Sequence, residues 1–142
     1  MIRYILTFGL LAGWLFLTDT TAVLAQAAPP KQANALAAVH ASVVKEIGAE
    51  DKTVELKTGG SILTVERVNS NMNEATHEGR NNEAKVIASL VAKGIGSEAN
   101  FGNVHTIRVE YLVRSAPTGK NRMVDSVEFR KRPDGVFDFH QT

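Results

Sequence analysis

Ile107 to Phe139 read IRVEYLVRSAPTGKNRMVDSVEFRKRPDGVFDF, and their apolar residues alternate with polar ones. Ile107, Val109, Tyr111 and Val113 make one such run, Val127 and Phe129 a second, and Phe137 and Phe139 a third, so three strands are expected. Parity selects the turn at Pro133-Asp134-Gly135. A two-residue Pro-Asp loop would pair Phe129 with Asp138 and send Phe139 to the opposite face. A three-residue loop, a type I turn with Gly135 left-handed in a bulge, pairs Phe129 with Phe139 and is the turn expected. Setting Arg114 opposite Arg122 likewise places Val109 against Val127 and Ile107 against Phe129.

Upstream, Leu36, Val39, Val43 and Ile47 recur at helical spacing, with Gly48 after them where a left-handed cap belongs. A helix is expected over about 32–47, preceded by a flexible lead-in, 26–32, that contains Pro29 and Pro30. Val54 and Leu56, then Leu63 and Val65, alternate on either side of Gly59-Gly60. A two-residue Gly-Gly loop would set Leu56 against Leu63 and Val54 against Val65, all on one face. After an Asn-rich stretch, 69–82, Val86, Ile87, Leu90 and Val91 give a second helical stripe. That helix is expected to stop near Lys93, with Gly94 as left-handed cap and Ile95 folded back on Leu90. The result is a single α+β domain over 33–142, ordered helix, hairpin, helix, three-stranded meander, with two helices on one face of an antiparallel sheet.

Composition narrows the function classes. The chain has 142 residues, 44% apolar and 22% charged, which suits a globular protein. A net charge of +1 leaves no field to hold nucleic acid or anionic lipid. Without cysteine there are no disulfides, thiol catalysis or cysteine-bound zinc. Residues 1–25 have the layout of a secretory signal: Arg3, an apolar run from Tyr4 to Leu17, then small and polar residues. Cleavage after Ala25 and cleavage after Ala27 both fit. At about 1.5 Å per residue the run reaches about 21 Å, short of about 30 Å of hydrocarbon. The expectation is export to the bacterial periplasm or cell exterior, with no stable membrane anchor after cleavage.

Several strings match catalytic motifs in letters and fail in context. His77-Glu78 begins an H-E-x-x-H helix, but residue 81 is Asn. Asn69, Asn71 and Asn73 stand as in a calcium loop whose sixth and twelfth positions are Glu74 and Arg80, where Gly and Glu are needed. Gly94, Gly96 and Ala99 close a helix instead of opening one, and Ser42-x-x-Lys45 with Lys57-Thr58-Gly59 lacks the order and middle motif of a serine enzyme. No cofactor and no metal site is implied.

Two constellations carry functional expectations. The registers put Arg108, Glu128 and His140 side by side on the outer sheet face, with Arg130 opposite Asp138 and Leu112, Val124 and Val136 nearby. That patch is a candidate for anion binding or partner docking. On the inner face Asp125 stands opposite Tyr111, whose hydroxyl could satisfy it. In a pocket, Asp125 would have a raised pKa and serve as general base, with His105 toward the other end of the sheet. The primary expectation is a non-enzymatic binding or accessory module for an unidentified protein or small ligand. The alternative is a small hydrolase or isomerase using Asp125 and Tyr111.

Overall fold

A computed structural model of the protein describes residues 30–96 and 98–139. The expected signal segment, both cleavage positions and residues 26–29 of the lead-in lie outside the described residues. Helix α1, Pro30–Glu46, reaches into the stretch read as lead-in. Val39 and Val43 are buried, with Leu36 and Ile47 packed beside them. Gly48, at φ 62°, ends the helix as a Schellman cap. There Ala49 N–H donates to Val44 O (3.0 Å) and Gly48 N–H to Lys45 O (3.4 Å).

Strands β1, Val54–Gly59, and β2, Ile62–Val68, form the hairpin in a register two residues away from the expected one. Leu56 faces Val65 and Thr58 faces Leu63. Gly60, not Gly59, takes the positive φ, 59°, so the loop is Gly60-Ser61 with glycine at the first central position, as a type II′ turn requires. A slip of two preserves parity, and Leu63 and Val65 still enter the core.

Helix α2 spans His77–Ile95, and its Thr76 cap accepts a hydrogen bond from Gly79 N–H at 3.1 Å. Its buried stripe is Ala84, Ile87, Ala88, Val91 and Ile95, whereas Val86 is 44% exposed. The two alanines let the helix lie close, which rotates the buried face away from the bulkier Val86. Gly94 is not a cap; the helix continues past it to Ile95. A Cβ on Gly94 would stand 2.4 Å from Cγ2 of Val39, so the missing side chain is what lets α1 approach α2.

Strands β3, Thr106–Ser115, and β4, Lys120–Arg130, pair as expected from Ile107 opposite Phe129 to Tyr111 opposite Asp125. A bulge at Val124 then shifts the ladder, so that Leu112 faces Met123 and Arg114 faces Asn121 instead of Arg122. The expected third strand of the meander is reduced to a single bridge, Lys131 to Phe137. The expected turn is present: Gly135 has φ 84° and its N–H donates to Arg132 O at 2.9 Å. The Phe129 and Phe139 rings lie 5.6 Å apart. Because β4 ends at Arg130, residues 136–138 bond back across their own turn and add no full strand to the sheet.

The sheet is four-stranded and mixed, in the order β1-β2-β3-β4, with β2 and β3 parallel. The antiparallel expectation failed there because α2 carries the chain back along the sheet, so β3 starts beside the start of β2. Alternation of apolar residues is the same for both directions. Helix α1 packs on β1 and α2, and α2 on β3 and β4. Among the described residues no helix is long and apolar enough to cross a membrane.

Candidate functional site

Tyr111 and Asp125 are opposed as the register requires, yet they do not form the expected pair. The Tyr111 hydroxyl donates to the carbonyl of Arg80 at 2.8 Å. Burial, and then the nearby Glu83 carboxylate, push this phenol well above its ordinary pKa. Asp125 accepts instead from Arg80 Nε (2.7 Å) and pairs with His77 Nδ1 (2.8 Å), while Ser126 N–H donates to its other oxygen (2.9 Å). Burial pushes Asp125 up, but the hydrogen bonds from Arg80, His77 and Ser126 outweigh it and hold the carboxyl below its ordinary 3.8. The raised pKa expected of a general base is therefore corrected: Asp125 ties the start of α2 to β4 as a carboxylate.

A folded-state pKa below the unfolded one means that the unfolded chain takes up protons first as pH falls. Glu55, lowered chiefly by Arg114, and Glu128, lowered chiefly by Arg108, shift the same way. The stability from all three is complete above their ordinary values of 3.8 and 4.5 and is lost below them. Urea midpoints should be level from about pH 7 to 5.5 and fall below about pH 4.5. Asp125→Asn should cost about 1 kcal/mol at pH 7 and flatten part of that acid slope; an unchanged slope contradicts the assignment.

On the outer face Lys57, Thr64, Arg108 and Glu128 align across the four strands, and Glu55, Glu66, Glu110 and Ser126 form the next row. Neighbouring carboxylates repel, so the row is tolerable only with cations beside it. Lys57 Nζ is 2.6 Å from Glu66, and Arg114 Nη1 is 2.6 Å from Glu55. Arg108 reaches Glu128 at 2.6 Å and Glu110 at 3.7 Å, and Arg130 reaches Glu128 at 3.6 Å. Arg108 and Glu128 are thus brought together, but their charges are spent on each other. His140 lies outside the described residues. Leu112 is buried, Val124 packs toward the core and Val136 is exposed, so the three do not form one patch. His105 is exposed, and its backbone bonds to Ser61 and Lys131.

Two concavities were not anticipated. One, of about 450 Å³, is polar and lies past the end of β2. Arg67, 2% exposed, lines it and donates from Nε to Glu83 Oε1 (2.9 Å) and from Nη1 to Thr53 Oγ1 (3.1 Å). Ser70 Oγ, also in its wall, has no hydrogen-bond partner. The signal was present in the sequence: Leu63, Val65 and Arg67 share one parity, which turns the arginine inward.

The other concavity, of about 310 Å³, is a largely apolar groove between the end of α2 and the segment after β4. Ala92, Ile95, Phe101, Val136 and Phe137 line it, with Lys131 and Glu98 on its rim. No local sequence pattern marks it, since it is made where three distant segments meet. Among the described residues no three His, Asp or Glu side chains are gathered to hold a metal ion. Compared with family models, curated proteins and solved structures, the chain matches none of them.

Proposed function

We propose that this chain is an exported, non-enzymatic binding module of the bacterial periplasm or cell exterior, and that it holds an apolar group of a small ligand in the groove between α2 and the segment after β4. The observation that carries the reading is an open apolar cleft beside a closed core. Ile95, Phe101 and Phe137 are nearly inaccessible, yet they wall a space of about 310 Å³. Binding sites for small molecules are characteristically apolar concavities with a few polar groups, and this one is at the small end of their range. Asp125, the general base that the enzymatic alternative requires, is engaged by Arg80 away from this groove.

The test is titration with N-phenyl-1-naphthylamine, an apolar dye whose emission rises out of water. Emission should rise saturably with the wild-type chain. Ala92→Leu, a good helix former that fills the groove, should abolish the rise while leaving the urea midpoint intact. Equal dye binding by the two chains would move the site elsewhere.

A further inference from the structure

The rim of the groove suggests what the ligand's other end carries. The Lys131 ammonium lies 5.6 Å from the centre of the Phe137 ring, one of the groove walls. Its methylene stem can lie along apolar surface while the charge stays at the mouth. The cations of the sheet are spent differently: Arg108, Arg114 and Lys57 each contact a carboxylate. Lys131 instead lies over the ring of Phe137, a contact with the face of the ring that leaves the ammonium's hydrogen-bond donors directed to the mouth of the groove. A space of about 310 Å³ can take a slender chain.

We propose that the ligand is a straight-chain carboxylate, its alkyl tail between Ile95 and Phe137 and its head group at Lys131; this rests on the groove being the binding site. Glu98 stands on the same rim and repels such a head, so it limits affinity and disfavours more highly charged heads. The geometry asks for one negative charge beside one cation, and for a tail no polar group interrupts.

The experiment is calorimetric titration of the full chain with three ligands sharing one tail: decanoate, decanol and decyltrimethylammonium. Decanoate should bind most tightly and the ammonium compound least. Lys131→Met, which keeps the stem on Phe137, should weaken decanoate about fivefold and leave decanol unchanged, the size expected of a partly exposed ion pair. Glu98→Gln should tighten decanoate by a few-fold. If the three ligands bind alike, or if Lys131→Met weakens decanol as much as decanoate, the head-group assignment is overturned while the groove still stands. If none of them binds, the groove itself fails as the site. A last arm uses phosphatidylglycerol vesicles: sedimentation with vesicles but no binding of free decanoate would overturn the proposal in favour of a membrane surface.

Discussion

Glu83→Leu is expected to lower the unfolding free energy by about 3–5 kcal/mol, against the 5–15 kcal/mol that holds an ordinary domain together. The reason is the partner left behind. Arg67 is 2% exposed, and its Nε has Glu83 Oε1 at 2.9 Å, while the Thr53 hydroxyl satisfies only the other arm of the guanidinium. Without Glu83 a cation that is almost fully buried loses its counter-charge, and deprotonation does not relieve it, because guanidinium keeps its proton. The double variant Arg67→Met/Glu83→Leu should regain most of the loss, since apolar side chains of similar volume replace a buried ion pair at little cost. Urea unfolding followed by circular dichroism reads both. A single variant costing less than about 1 kcal/mol would mean that Arg67 reaches water after all.

Gly94→Ala should destabilise by about 2 kcal/mol, although alanine is the better helix former by about 1 kcal/mol. The added Cβ would meet Val39 Cγ2 at 2.4 Å, and Val39 is buried on a branched, stiff side chain with no other rotamer to adopt cheaply. The two helices must part or tilt. Val39→Ala removes the obstructing methyls, so the pair of substitutions should show a favourable coupling of at least 1 kcal/mol in a double-mutant cycle. Additive costs would place the contact elsewhere.

These two positions mark the limits of reading the chain alone. Periodicity located both helices and the strands β1 to β4, because burial on one side leaves its mark at every second or every third to fourth residue. Turn geometry was legible where parity constrained it: Gly135 had to be left-handed for Phe129 and Phe139 to meet, and they do. Strand direction was not legible, because Leu63 beside Ile107 buries the same surface whether the strands run together or opposed. Gly94 looked like a cap because a glycine after an apolar stripe fits both a left-handed turn and a crossing point. The difference depends on Val39, far away in the chain. The outer-face pairing of Arg108 with Glu128 followed from register, whereas the engagement of Asp125 by Arg80 and His77 needed the angle at which α2 crosses the sheet, which no local pattern encodes.

The parallel joint at the centre of the sheet also bears on the order of assembly. Each flanking pair of strands closes through a short turn and costs little chain entropy. Joining β2 to β3 instead demands that the whole of α2 be in place first. The molecule is thus two quickly made ribbons and one slow clasp, and the helix that forms the clasp also walls the groove.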